Sequence, residues 1–133
     1  MAKFERFEDI LAWQKARSLV GDVYSVTNSI RFKKDFGLKD QIRRASVSVV
    51  LNITEGFARR GDRQFVQFLH VAQGSLAEVQ SALYIALDQK YLDDESFKRL
   101  HELCSEISKM LSGLIRYLRS QVDYRLIDYR LTD

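Results

Sequence analysis

Between Phe65 and Ala86, the apolar residues Phe65, Leu69, Ala72, Leu76, Val79, Leu83 and Ala86 recur in alternating steps of four and three. That spacing keeps one stripe of an α-helix apolar along its whole length, so the segment predicts a long helix packed against partners throughout. The pattern returns from Phe97 through Leu100, Cys104, Ile107, Leu111 and Leu114 to Leu118. Asp93, Asp94 and Glu95 open this second run, and carboxylates suit the positive end of a helix. A weaker version passes through Trp13, Ala16, Val20, Val23, Thr27 and Ile30.

The stretch "RRASVSVVLNITEG", Arg43 to Gly56, is harder, because its branched side chains favour a strand. Helical placement nevertheless puts Leu38, Ile42, Ala45, Val49 and Ile53 within an arc of about 80°. The run Val49-Val50-Leu51 breaks strand alternation, and no hairpin turn flanks it. A helix is expected, since tertiary burial outweighs the few tenths of a kcal/mol that each β-branched residue costs. On that helix Val47 and Leu51 project opposite the core stripe, with Val50 and Thr54 toward one flank. A helix apolar on two faces is buried on two faces. Val47, Val50, Leu51 and Thr54 are therefore expected to meet another subunit, the alternative being cover by a helix or the tail of the same chain.

Four helices at about 8–30, 37–60, 62–90 and 94–120 account for residues 1–121, with Asp62 as the expected N-cap of the third. Short connections predict an all-α, antiparallel up-down-up-down four-helix bundle. The absence of proline from 133 residues fits long helices and short turns. Residues 122–133 repeat Asp123-Tyr124-Arg125-Leu126 as Asp128-Tyr129-Arg130-Leu131. A five-residue spacing suits no helix face, so this segment is expected as a C-terminal extension that either docks on a neighbour or frays.

A single cysteine excludes an internal disulfide and points to a reducing compartment. Together with a polar N-terminus and no apolar run of about 18 residues, it predicts a cytoplasmic protein without membrane contact. Asn52-Ile53-Thr54 matches a glycosylation sequon, but such a setting makes it a chance match. Charge is unevenly distributed. Residues 31–63 carry nine basic and four acidic side chains, a local balance of +5, whereas residues 76–106 carry three and seven. A basic stretch of this kind attracts phosphate backbones or serves as a solvated face.

The segments "LAWQKARSLVGDVYSVT", "FGLKDQIRRASVSVVLNITEGFAR" and "FLHVAQGSLAEVQSALYIA" resemble the four-helix-bundle proteins encoded in intervening sequences of bacterial 23S ribosomal RNA genes. The shared pattern runs W-Q-K-A, F-G-L-x-x-Q-I-R-R-A, S-x-x-x-N-I-x-E-G and G-S-x-x-E, across about residues 4 to 118. The resemblance implies a bundle assembling into a homopentameric ring. It also implies kinship with the accessory variability determinant of diversity-generating retroelements, a basic barrel that binds nucleic acid and a reverse transcriptase. Ser48-Val49-Val50-Leu51-Asn52 replaces the family's S-I-P-S-N, and Arg31-Phe32 replaces its Phe-Pro. Losing the proline removes a kink, and Leu51 makes the second face more apolar.

The family motif maps onto Gln41, Arg43, Arg44, Asn52, Glu55, Gly56, Ser75 and Glu78. Asn52, Glu55, Ser75 and Glu78 are expected in a structural polar network, with Glu55 pairing Arg59 one turn on and Glu78 reaching Arg43 or Arg44 across the bundle. Lys39, Arg43, Arg44, Arg59, Arg60 and Arg63 are the candidate phosphate-binding surface, and no base-reading motif accompanies them. Catalysis has little support. His101 and Cys104 give two possible metal ligands where a site needs more, and no phosphate loop, HExxH or G-x-S-x-G occurs. The expectation is a non-enzymatic oligomer without cofactor or metal that binds RNA or DNA, the rival being a protein-interaction scaffold.

Overall fold

A computed structural model describes the backbone of residues 4–132 and the side chains of residues 4–121. The described residues form four long helices and no strand: α1 (Leu11–Thr27), α2 (Phe36–Ala58), α3 (Asp62–Asp88) and α4 (Asp94–Thr132). Short 3-10 turns at Phe7–Asp9 and Phe32–Lys34 precede α1 and α2. Helix α2 packs on α3, α3 on α4, and α1 on both α2 and α4, which is a four-helix arrangement around one core.

The ambiguous second segment is helical, and its predicted stripe is where the core lies. Ile42, Ala45, Val49 and Ile53 are buried, and Leu38 is half-buried against them. Every predicted stripe residue of α3 is buried, as is every one of α4 except Phe97, which is half-buried. In α1 Ala16, Val23 and Thr27 are buried as expected, but the stripe departs from expectation at two other positions. Ala12 and Leu19 are buried, while Trp13 and Val20 are only half-buried. The helix stops at Thr27, whose hydroxyl donates back to the Val23 carbonyl at 2.7 Å, and Ile30 lies beyond it at 72% exposure.

Helix α1 runs from Leu11 to Thr27 where about 8–30 was expected, and three other helix ends have local causes. Helix α2 begins at Phe36 because Asp35 caps it, its Oδ1 accepting the Leu38 N–H at 3.1 Å. The other oxygen of Asp35 accepts the Tyr91 hydroxyl at 3.1 Å, and this bond to a carboxylate holds the Tyr91 phenol above its ordinary range. Gly61, not Asp62, is the N-cap of α3; Asp62 occupies the first helical turn, where its charge still meets the helix dipole favourably. Finally, α4 continues as helix to Thr132, past its expected end near 120, and no glycine or proline after Gly113 interrupts it. The side chains of 122–133, where docking or fraying of the extension was anticipated, lie outside the described residues.

Helix α3 ends in a Schellman motif: Tyr91 N–H bonds to Ala86 O and Lys90 N–H to Leu87 O, both at 2.9 Å. Lys90 supplies the left-handed residue at φ 63°, where glycine is usual. Tyr91 then packs on Phe32, which is fully buried and plugs this end of the bundle with a centroid distance of 5.2 Å.

Helices α2 and α3 approach each other tightly at Gly56 of α2. A Cβ there would lie 2.8 Å from Phe68 Cβ and 2.9 Å from Phe65 Cδ1. No larger residue fits without separating α2 from α3. Gly56→Ala is expected to cost about 1–3 kcal/mol in urea or thermal unfolding, the usual cost of overpacking. Gly21→Ala, in α1 with nothing within 4 Å of the new methyl, is the control, expected to stabilise by about 0.5–1 kcal/mol.

Candidate nucleic-acid interface

The six predicted phosphate-binding residues do not form one patch. Lys39 and Arg59 lie near opposite ends of α2, and twenty residues of helix separate them by about 30 Å. At the N-terminal end, Lys39 is half-buried with its Nζ 5.0 Å from the ring centroid of Phe36. Near it, Arg31 donates to the Lys90 carbonyl at 3.3 Å, which ties the two turns at this end together. Arg44, midway along α2, is exposed.

Arg43 is committed to the fold. Its Nε donates to Thr27 Oγ1 at 2.8 Å, and its guanidinium carbon lies 4.3 Å from the Tyr24 ring centroid. A buried threonine and an aromatic face therefore hold this arginine against α1. Neither Tyr24 nor Thr27 was foreseen as its partner; residues sixteen apart in sequence on two different helices leave no local signal.

Arg59, Arg60 and Arg63 do come together, at the turn joining α2 to α3. Arg59 donates from Nε at 3.1 Å and from Nη2 at 2.7 Å to Glu55 Oε1, the expected i,i+4 pair. Its guanidinium also lies 5.2 Å from the Phe68 ring centroid. Arg60 takes the left-handed conformation at φ 60° that ends α2, and Arg63 is exposed on the first turn of α3. Behind them a cleft of about 540 Å³ is lined by Arg60 together with Phe57, Phe65 and Leu118.

The anticipated polar network resolves into three separate contacts. Ser48 Oγ and Ser75 Oγ share a hydrogen bond at 2.8 Å across the α2–α3 seam, and Asn52 Nδ2 donates to Ser48 Oγ at 3.0 Å and to its carbonyl at 2.9 Å. Glu78 Oε2 accepts from Gln41 Nε2 at 3.2 Å instead of from Arg43 or Arg44. Glu55 serves Arg59 alone among the contacts described above. Ser48 is the member that sequence reasoning missed, although it stands within the S-x-x-x-N motif.

On the outer side of α2, Leu51 is 59% exposed and Val47 half-buried. Val50 packs on the core, and Thr54 folds its hydroxyl back onto the Val50 carbonyl at 3.2 Å. On α3, Val71 is itself 52% exposed. No element of the described chain buries Leu51 or Val71.

The groups considered for chemistry are placed as follows. Cys104 is fully buried, and burial pushes its thiol up to about 12, far from a reactive thiolate. His101 stacks on Phe97 with centroids 5.3 Å apart and meets the edge of Tyr84. Among the described residues no group of three or more potential metal ligands gathers. Nor is any described helix long and apolar enough to cross a membrane.

Comparison with known proteins adds a family and a fold. The model of a family described as 23S rRNA-intervening sequence protein matches residues 8–113. A crystal structure at 1.70 Å of a protein of unknown function, from the S23 ribosomal protein family of Bacteroides thetaiotaomicron VPI-5482, superposes with a TM-score of 0.74. The two are 20% identical, and the match covers 80% of this chain and 96% of the other, which supports a shared fold. No curated protein matches.

The two adjacent arginines of α2 should separate cleanly in stability measurements. Arg43→Ala removes a hydrogen bond to a buried hydroxyl and a cation–π contact, an expected loss of about 1–2 kcal/mol. Arg44→Ala should stay within about 0.5 kcal/mol of the parent. Equal losses in chemical denaturation would contradict the different roles given to them.

Proposed function

Because the chain belongs to the 23S rRNA-intervening sequence protein family, we propose that it acts as a non-enzymatic, oligomeric four-helix bundle that binds RNA or DNA through basic surface with little sequence specificity. In this reading the helices run antiparallel. Gln41 meets Glu78, Ser48 meets Ser75 and Gly56 approaches Phe65, so later residues of α2 pair with earlier residues of α3. The bundle then self-associates into a ring, with a homopentamer favoured, through the outer face of α2.

Leu51 is the observation that carries this reading. A leucine more than half exposed, with Val47 one turn before it, gains by burial against a sister subunit. A ring built on that face repeats Arg59, Arg60 and Arg63 around one rim, so a modest charge per chain becomes a concentrated positive field. Phosphate backbones are the complementary partner, and the absence of any base-reading motif accords with low sequence specificity. A reverse transcriptase or a ribosomal RNA insert is the proposed context for such an accessory protein, in the cytoplasm.

Light scattering should report an oligomer for the parent and a smaller species for Leu51→Glu; a monomeric parent would remove the ring. In parallel, titrating labelled RNA and DNA at several salt concentrations should give affinity that falls as salt rises. The double variant Arg59→Glu with Arg63→Glu should weaken it at least about tenfold, the scale of losing charge-assisted contacts. An oligomer that binds neither nucleic acid at low salt would instead be a protein-interaction scaffold.

A further inference from the structure

On the face where α3 meets α4, a groove of about 500 Å³ is lined by His70 and Gln73 from α3 and by Ser112, Arg116, Arg119 and Ser120 from α4. Its charged and titratable lining consists of His70 and the two arginines; no carboxylate is among the described residues that form it. Its hydrogen bonds determine the state of the histidine. Arg119 Nη2 lies 3.0 Å from His70 Nε2, and a guanidinium can only donate, so Nε2 holds the lone pair. His70 Nδ1 therefore carries the proton and donates to Gln73 Oε1 at 3.1 Å, which turns the Gln73 amide to donate to Ser112 Oγ at 3.1 Å. The imidazole is thus aimed at an arginine.

We infer that this groove is a phosphate site. A tetrahedral oxyanion accepts from the guanidinium groups of Arg116 and Arg119, the donors whose geometry suits it best. Arg119 turns from Nε2 to the anion, which leaves the His70 ring beside the bound oxygens. Gln73 keeps its bond to Nδ1, so the ring stays oriented. Arg63 lies two helical turns before His70 on α3, about 10 Å away along the axis, and so extends the arginine cluster toward the groove. The source of the phosphate is a nucleic-acid backbone; this rests on the function proposed above, and free phosphate is the other source of the same chemistry.

The protein has two histidines, and His101 lies among aromatic rings outside this groove, so it provides an internal control. Sodium sulfate is titrated into the full chain while the imidazole Cε1–H signals are followed by NMR. Sulfate should shift His70 and leave His101 in place. Arg119→Gln should weaken binding about tenfold, the scale of one charge-assisted hydrogen bond. Equal shifts at both histidines, or unchanged affinity in Arg119→Gln, would overturn the site. A short RNA is the second arm: it should shift His70 in the parent and bind less well to Arg119→Gln. RNA binding that ignores Arg119→Gln would sink the groove and leave nucleic-acid binding standing. Sulfate binding without RNA binding would keep the groove as a free-phosphate site and sink the nucleic-acid function.

Discussion

The close approach of α2 and α3 at Gly56 is the contact on which the rest of the molecule depends. Where Gly56 meets Phe65 and Phe68 there is no room for even one methyl group, so the two helices lie nearer than ordinary side chains permit. Two turns earlier, Ser48 and Ser75 bridge the same seam with a hydrogen bond between short side chains, which only closely spaced helices can make. Together they set the distance and the register. With the register set, Ile42, Val49 and Ile53 of α2 face the same core as Leu69, Leu76 and Leu83 of α3. Glycine in a helix interior costs about 0.5–1 kcal/mol of intrinsic stability, and the packing it permits has to exceed that cost.

The same register governs the surface. Turning Ile42, Val49 and Ile53 inward leaves Leu51 pointing out. It also separates the cations of α2 into two poles, because helix geometry spreads residues close in number over tens of ångströms. Arg43 is drawn inward by Tyr24 and Thr27, whereas Arg59, Arg60 and Arg63 remain exposed at the turn joining α2 to α3. One helix therefore serves the core, the apolar outer face and the basic pole, on separate parts of its circumference and length.

Much of the fold was legible because apolar spacing directly encodes which face of a helix is buried. The stripes of α3 and α4 survive nearly residue for residue, since Leu69, Leu76, Leu83, Leu100, Ile107 and Leu111 leave one arc to choose. In α1 the choice was open. Ala12 and Trp13 are both apolar, and burial selects the smaller because the larger ring packs at the edge beside Phe7. Asp35 was not foreseen as a cap, and its bond to Tyr91 spans fifty-six residues. The candidate site was less legible. Charge density along the sequence suggested one basic surface, but placement on a helix divides it, and contacts such as Arg43 with Thr27 or Arg119 with His70 join residues that no local pattern relates.

If the α2–α3 seam organises the molecule, it should also be the last part to open. Native-state hydrogen exchange tests this directly, because each amide reports the free energy of the opening that exposes it. The slowest amides should be those of Val49 and Ile53 in α2 and of Leu69 and Ala72 in α3, exchanging only with global unfolding. If these amides exchange by local opening while those of α1 and α4 stay protected, the fold is held elsewhere and the account is wrong.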